Sequence, residues 1–218
     1  MKYSIMLTLL VTICNTTMAQ GDTVRLTQAS FEQEAHRGNK AASSSIEGWF
    51  DCGMVFFPNE SPPDIHPGEF WEVNLPAKHG DTYLGMVTRE NETYESISQK
   101  LQKTLQAGNC YSISLYMAQS AKYISASRLE ANKMVNHAEP TILRIWGGGE
   151  YCRRQELLAS TVAIDHQDWK RYDLTLSPTE NINSITVEAY WDVPVVTPYA
   201  GHILLDHMSP IVWQSCED

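Results

Sequence analysis

The sequence predicts an all-β chain folded as an antiparallel β-sandwich. Three observations predict this class: short apolar segments that alternate with period two, turn residues between those segments, and the absence of long helical patterns. The clearest alternation covers residues 110–117, and residues 169–176 repeat it. Regularly spaced short strands are typical of sandwiches. The other predicted strands lie at residues 83–87, 142–146, 185–191 and 202–206.

Residues 94–106 can be interpreted as a helix or as a strand. Tyr94, Ile97, Leu101 and Leu105 recur at helical spacing, and Gly108 follows where a helix would end. From these residues alone, the segment would be an amphipathic helix.

Two polar stretches are predicted to lie outside the sandwich strands. Residues 58–76 contain five prolines, which predicts a loop without regular structure. Residues 122–140 form a second long polar stretch, which we expect to leave the sandwich. Loops carried on a rigid scaffold often hold functional residues.

The N-terminus predicts export. Lys2 precedes an apolar run at residues 5–13, and the small-residue stretch at 17–19 ends in Ala19. This order of charge, short apolar run and small residues is that of a secretory signal. We expect residues 1–19 to be removed and residues 20–218 to form one domain of the all-β kind, which is periplasmic, on the outer-membrane surface or secreted. The alternative, a lipid-modified Cys14, fits poorly because bulky Ile13 precedes the cysteine.

The charge balance excludes some partners. The chain has a formal net charge of −10, and its Lys and Arg residues are scattered. Nucleic acids and anionic membranes are bound by clustered basic residues. We therefore expect no nucleic-acid partner, and no second apolar segment is long enough to span a bilayer.

Four cysteines remain after the expected processing: Cys52, Cys110, Cys152 and Cys216. An even number in an exported chain predicts disulfides, with three possible pairings. We favour Cys52 with Cys152 and Cys110 with Cys216, because the second pair would fasten the C-terminus to a central strand. The count alone leaves the other pairings open.

Five stretches follow one another in an order found in a known sandwich family. They are an opening strand, a tryptophan after it, a pair of strands with the pattern Gln, Leu, Gly, Tyr, Ser, a Trp-containing strand and a closing strand. In this sequence they lie at residues 29–32, 48–49, 98–114, 168–172 and 201–206. Together they resemble the galactose-binding-like jelly roll of many carbohydrate-binding modules. The resemblance implies a jelly roll and favours a strand at residues 94–106.

A narrower resemblance rests on residues 48–53, 61–67 and 143–148. These stretches resemble an uncharacterised exported domain of Bacteroidota-type bacteria, which often precedes gliding-associated or OmpA-like modules. That family has no settled ligand, so the resemblance implies an exported role without naming what is bound.

The jelly-roll resemblance also implies a possible structural calcium between the first and last strands. Glu32 and Asp206 occupy the matching positions. Calcium takes six to eight oxygen ligands, which two carboxylates alone do not supply. The alternative is that both residues are ordinary acids of the protein surface.

Sugar recognition requires flat aromatic faces next to groups that bond hydroxyls. Loop and strand-end residues of both kinds are present, and the proline-rich loop with Asp64 and His66 is the strongest candidate. The alternative is that the aromatic residues only pack the sandwich. The predicted ligand-binding residues are Trp49, Asp51, Asp64, His66, Trp71, Arg89, Tyr94, Glu95 and Trp191.

The predicted function is a non-catalytic binding domain for a carbohydrate or cell-surface glycan. The sequence contains no G-x-S-x-G, H-E-x-x-H or phosphate-loop motif. No acid, base or nucleophile can be placed together as a catalytic site. The alternatives are a structural or adhesive module that binds a cell-surface protein and, after it, a hydrolase.

Overall fold

The computed structural model describes residues 23–39, 46–192 and 197–216. The expected signal peptide at residues 1–19 and the alternative lipidation site at Cys14 lie outside these residues.

The described residues form strands with very little helix. A one-turn helix, α1, spans Gly53–Phe56, and a short 3₁₀ turn spans Phe70–Glu72. The strands are β1 (Thr23–Val24), β2 (Phe50–Asp51), β3 (Asp64–His66), β4 (Tyr83–Thr88), β5 (Ser96–Leu105), β6 (Cys110–Ala118), β7 (Ile124–Ala126), β8 (Met134–Asn136), β9 (Thr141–Gly148), β10 (Glu156–Ser160), β11 (Lys170–Leu176), β12 (Ile182–Trp191), β13 (Gly201–Asp206) and β14 (Ile211–Gln214).

The strands form two large sheets and one small hairpin. The first sheet has the order β1-β14-β6-β13-β4-β3, and β11 also pairs with β6. The second has the order β10-β9-β12-β5-β2, and β7 pairs only with β8. The ladders between these strands are antiparallel. The predicted all-β jelly-roll sandwich is therefore confirmed, as are the six strands predicted from the residue pattern, now β4, β6, β9, β11, β12 and β13. The opening strand that the resemblance implies at residues 29–32 is wrong, because these residues form a turn and irregular chain.

The core lies between the two large sheets. Alternate residues of β6 and β12, among them Ile113, Leu115, Ile185 and Val187, are buried in one apolar cluster. The period-two pattern of the sequence thus marks the faces that pack together. Each fully buried aliphatic side chain of this kind contributes about 1.5–3 kcal/mol.

The helical interpretation of residues 94–106 is wrong. Residues 96–105 form β5, which pairs with β12 on one side and β2 on the other. Ile97, Leu101 and Leu105 are spaced by four, and an even spacing also places side chains on one face of a strand. Ile97 and Leu105 are buried in the core, and Leu101 packs against it.

The proline-rich segment contains one strand that the sequence did not predict. Asp64, Ile65 and His66 form β3, which pairs with β4 at the edge of the first sheet. Pro63 and Pro67 flank this strand instead of interrupting it, so proline removes none of its ladder hydrogen bonds. Residues 122–140 leave the sandwich as expected and contain the β7–β8 hairpin.

Both favoured disulfides are confirmed. Cys52 is bonded to Cys152, and Cys110 is bonded to Cys216. The second bond joins the start of β6 to the segment after β14. Disulfides form and persist in oxidising compartments, which indicates an exported domain. Among the described residues, no helix has the length and apolarity required to cross a membrane.

Candidate functional site

A cavity of about 190 Å³ opens where the edge of the first sheet meets the β7–β8 hairpin. The strand β3 and the end of β4 form one wall, and the hairpin and the Phe70–Glu72 turn form the other. The cavity is lined by Gly38, Ser61, Asp64, Trp71, Val87, Arg89, Glu95, Tyr123, Ser125, Ala126 and Arg128.

The turn between β4 and β5 brings a cation and an acid together. The Arg89 N–H donates to the Thr93 carbonyl at 2.9 Å, and the Glu95 N–H donates to the Val87 carbonyl at 3.0 Å. These bonds close the chain on itself, so residues six positions apart in sequence become neighbours. The Arg89 and Glu95 side chains consequently lie side by side at the base of the cavity.

Arg89 and Glu95 form a buried ion pair, with 2% and 4% of their surfaces exposed. Arg89 Nη2 donates to Glu95 Oε1, and the Val87 N–H donates to Oε2 at 3.0 Å. Burial raises the pKa of Glu95, and the Arg89 guanidinium opposes that shift. Both carboxylate oxygens accept hydrogen bonds, and these bonds favour the ionised form against the effect of burial. Removing one member of such a pair costs about 3–5 kcal/mol.

One nitrogen of Arg89 has no hydrogen-bond partner among the described residues. Nη2 also donates to Ser61 Oγ at 3.3 Å, and Nε lies 3.6 Å from Glu60 Oε2. Nη1 is buried and makes no hydrogen bond within the described part of the chain. A buried donor without an acceptor costs about 1–3 kcal/mol. A ligand oxygen placed at Nη1 would remove that cost.

A second carboxyl lies in the wall of the same cavity. Asp64 is buried; the Tyr123 hydroxyl donates to Oδ2, and the Gly38 N–H donates to Oδ1 at 2.6 Å. Burial raises the pKa of Asp64, while its hydrogen bonds from Tyr123, Gly38 and Trp71 oppose the shift. A carboxylate has about four lone-pair sites, so Asp64 retains acceptor capacity.

Trp71 lies half-buried at the mouth of the cavity. Its backbone is in the left-handed region, at φ 56°, and Glu69 and Glu72 have φ 59°. Left-handed residues other than glycine cost about 1–3 kcal/mol each and persist only where the surroundings hold them. Here Lys122 Nζ bonds Glu72 at 2.7 Å, and the Arg37 guanidinium lies 5.5 Å from the Trp71 ring centre.

Three buried histidines surround Tyr123 beneath the cavity. The ring centres of His66, His137 and His202 lie 5.4, 5.8 and 5.0 Å from that of Tyr123. Burial lowers the pKa of His66 to about 3 and those of His137 and His202 to about 4. His202 Nε2 accepts the Ser120 N–H at 2.8 Å. This group therefore supports the floor of the cavity as neutral imidazoles.

No protein-family model matches the chain, and no curated protein matches it. Solved structures do show similarity. A CBM4 carbohydrate-binding module is 12% identical, with a TM-score of 0.47 over 87% of this chain and 100% of its own. The CBM22-1 xylan-binding domain of Xyn10C from Paenibacillus barcinonensis is 16% identical, with a TM-score of 0.46 over 90% and 97%.

An adhesin domain is similar to the same degree. The K1 cleaved adhesin domain of Lys-gingipain from Porphyromonas gingivalis W83 is 7% identical, with a TM-score of 0.47 over 85% of this chain and 100% of its own. At these identities and TM-scores, we draw no functional conclusion from the similarities.

The structure brings together four of the predicted sugar-binding residues. Asp64, Trp71, Arg89 and Glu95 all line the cavity. They come from β3, the 3₁₀ turn and both ends of the β4–β5 turn. That they bind a ligand stays a prediction.

The other predicted sugar-binding residues do not line the cavity. Trp49 is buried in the core, and His66 lies beneath the cavity with no exposed surface. Asp51 accepts a hydrogen bond at 2.8 Å from the N–H that begins α1. Tyr94 and Trp191 pack edge to face, with ring centres 5.5 Å apart. In Trp49 and His66, packing is the evident role.

Sequence reasoning missed Tyr123 and Arg128. Both lie in the polar stretch at residues 122–140, which was predicted only to leave the sandwich. Tyr123 meets Asp64 across 59 positions of sequence. An aromatic and an arginine in a long polar loop were the available signal, because such loops often carry function.

The predicted calcium ligands do not form a fitting site. Asp206 is buried, and its carboxylate accepts the Ser30 hydroxyl at 2.8 Å and the N–H groups of Lys78 and His79 at 2.9 and 2.8 Å. Those donors occupy the lone pairs that a cation would need, and Glu32 adds only one more carboxylate. No cluster of three or more metal-ligating side chains occurs in the described ranges. Calcium binding remains an untested prediction that these contacts do not favour.

Proposed function

We propose that this protein is an exported, non-catalytic module that binds a sugar in the cavity at Asp64, Arg89 and Trp71. The observation that carries the proposal is that Arg89 lines the cavity beside Asp64 and Trp71 and that its buried Nη1 has no acceptor in the residues that the structure describes. The same wall holds a buried carboxylate, and a tryptophan stands at the mouth.

These groups match the chemistry of a sugar ring. The Trp71 face can pack on the apolar side of a pyranose, as aromatic side chains do in apolar pockets with few polar groups. A sugar hydroxyl can accept from Arg89 Nη1 while it donates to a neighbouring carboxylate. The two buried acids thereby gain donors, and the buried guanidinium gains an acceptor.

The arrangement supports binding better than catalysis. Both oxygens of Glu95 and both oxygens of Asp64 already accept hydrogen bonds from protein groups. A general acid must instead present a proton to the substrate, and a nucleophile must be free to attack. Held in this way, the carboxylates serve as fixed acceptors.

A glycan array with the oxidised, secreted protein tests the proposal. We expect binding to at least one glycan and a loss of about tenfold or more in Trp71→Ala, because a stacking face is removed. Trp213→Ala is the matched control, since Trp213 is also an accessible tryptophan but does not line the cavity. An array without binding would defeat the proposal, as would equal binding by wild type and Trp71→Ala.

Adhesion to a cell-surface protein is the second candidate, and one observation favours it. Phe50, Met54, Val55, Phe56 and Tyr151 are large apolar side chains exposed next to the Cys52–Cys152 bond. Contiguous exposed apolar surface often marks a binding site for protein. Met54→Ser with Val55→Ser should then reduce attachment of the labelled protein to whole bacterial cells, and protease treatment of the cells should do the same. Attachment that survives both treatments would contradict this candidate.

A further inference from the structure

The volume of the cavity limits the size of the ligand that it can hold. Sites for drug-sized molecules enclose about 300–1,000 Å³, and this cavity encloses about 190 Å³. Trp71 and residues 123–128 line it on the side of the β7–β8 hairpin. A single sugar ring is therefore the largest unit of a glycan that the walls can surround.

The two guanidiniums that line the cavity, those of Arg89 and Arg128, already have carboxylate partners. Arg89 pairs with Glu95 and lies 3.6 Å from Glu60, and Arg128 Nε donates to the same Glu60 oxygen at 2.7 Å. With Asp64, three carboxyls stand against two guanidiniums. Within the cavity lining, a carboxylate or sulfate on a sugar would meet these acids, while both lining guanidiniums already have carboxylate partners.

The hydrogen-bonding groups of the cavity also favour a neutral ligand over a charged one. Arg89 Nη1 lacks an acceptor within the described ranges, whereas the oxygens of Asp64 and Glu95, each with a protein donor, can still accept from a further donor. A carboxylate or sulfate only accepts and an ammonium only donates, but a hydroxyl does both. We infer that the cavity selects one neutral sugar ring and discriminates against acidic and amino sugars. This inference rests on the proposed sugar-binding function.

Titration calorimetry of the oxidised protein tests the inference with defined probes. The neutral probes are the methyl glycosides of glucose, galactose, mannose and xylose. The charged probes are the methyl glycosides of glucuronic acid, galacturonic acid and glucosamine. We expect the best neutral probe to bind at least about tenfold more tightly than any charged probe, because a charged group leaves a buried partner unpaired.

Glu60→Gln tests the electrostatic reason directly. It removes the acid shared by Arg89 and Arg128, and it leaves the cavity-lining side chains unchanged. The affinity for the uronic acid glycosides should rise relative to the neutral probes by about threefold or more. Glu130→Gln is the matched control. Glu130 lies between β7 and β8, pairs with Lys133 at an exposed position and does not line the cavity.

The outcomes separate the two proposals. If a uronic acid or amino sugar binds as tightly as the neutral probes, selection of neutral sugars is overturned and the proposed function stands. If Glu60→Gln leaves the ratio of affinities unchanged, the electrostatic basis of the selection is overturned. If no probe of either kind binds, the proposed function fails, and this inference fails with it.

Discussion

Replacing His66 by phenylalanine should reduce the loss of stability at acid pH. His66 has no exposed surface, and neither ring nitrogen has a hydrogen-bond partner within the described residues. Its ring is surrounded by Phe70, Tyr83 and Tyr123. Phenylalanine keeps a flat aromatic ring at this position, though a larger one, and cannot be protonated, so the substitution removes the titration without removing a hydrogen bond.

The size of the effect follows from the pKa of His66. Burial, and after it the charge of His202, lowers this pKa from 6.5 to about 3. Between these values the unfolded chain binds a proton that the folded protein does not, so stability falls as the pH falls below 6.5. Each pH unit is worth about 1.36 kcal/mol, so the loss due to His66 at pH 5 is about 2 kcal/mol.

Urea unfolding at pH 7 and pH 5, followed by tryptophan fluorescence, measures the effect. The free energy of unfolding of His66→Phe should fall by about 2 kcal/mol less than that of wild type over this interval. Asp64 and Glu95, whose raised pKa values act in the opposite direction, titrate in both proteins and cancel in the comparison. Any packing cost of phenylalanine is independent of pH and cancels too.

Equal losses of stability in the two proteins would refute the claim that His66 is a buried, neutral imidazole beneath the cavity. They would mean that His66 is hydrated or hydrogen-bonded in solution, with an ordinary pKa. A larger loss in His66→Phe would mean that protonated His66 stabilises the fold.

Three further predictions concern other parts of the chain. Cys110→Ser with Cys216→Ser opens a loop of 106 residues and should lower the free energy of unfolding in urea by up to about 4–5 kcal/mol; an unchanged midpoint would contradict this. Gly201→Ala would place a Cβ 2.5 Å from the Glu139 carbonyl oxygen, so thermal melts should show a loss of about 1–3 kcal/mol, and a neutral result would show that this contact relaxes. A calcium chelator should leave the melting temperature unchanged, because N–H donors occupy the Asp206 carboxylate. A lower melting temperature in the chelator would instead support a bound calcium.

The fold could be predicted because its strands bury one face each. Period-two alternation in what became β6 and β11 reports directly which side chains enter the core. The same reasoning failed to decide residues 94–106, because a spacing of four residues fits both a helix and a strand. Only the pairing of β5 with β12, between segments far apart in sequence, decides it.

The candidate site could be predicted only in part. Asp64 and Arg89 were identified because they lie in or near loops between predicted strands, where charged residues are free to act. Tyr123 was missed because its contact with Asp64 joins two segments that no local pattern relates.

His66 shows why the sequence does not tell which residues of one strand reach the cavity. It shares β3 with Asp64, two residues apart and therefore on one face of the strand. Whether a residue on that face is open or covered depends on what packs over it. Phe70 and Tyr123 cover His66, whereas Asp64 reaches the cavity.

The central claim, that the cavity beside Trp71 is the binding site, is tested most directly by the indole N–H signals of the six tryptophans. In ¹⁵N-correlated NMR spectra, with the Trp71 signal assigned through Trp71→Phe, the best-binding methyl glycoside is added to saturation. We expect the Trp71 signal to shift with the ligand concentration while the signals of Trp49 and Trp213 stay in place. Saturable binding with an unmoved Trp71 signal would place the site elsewhere and contradict the account.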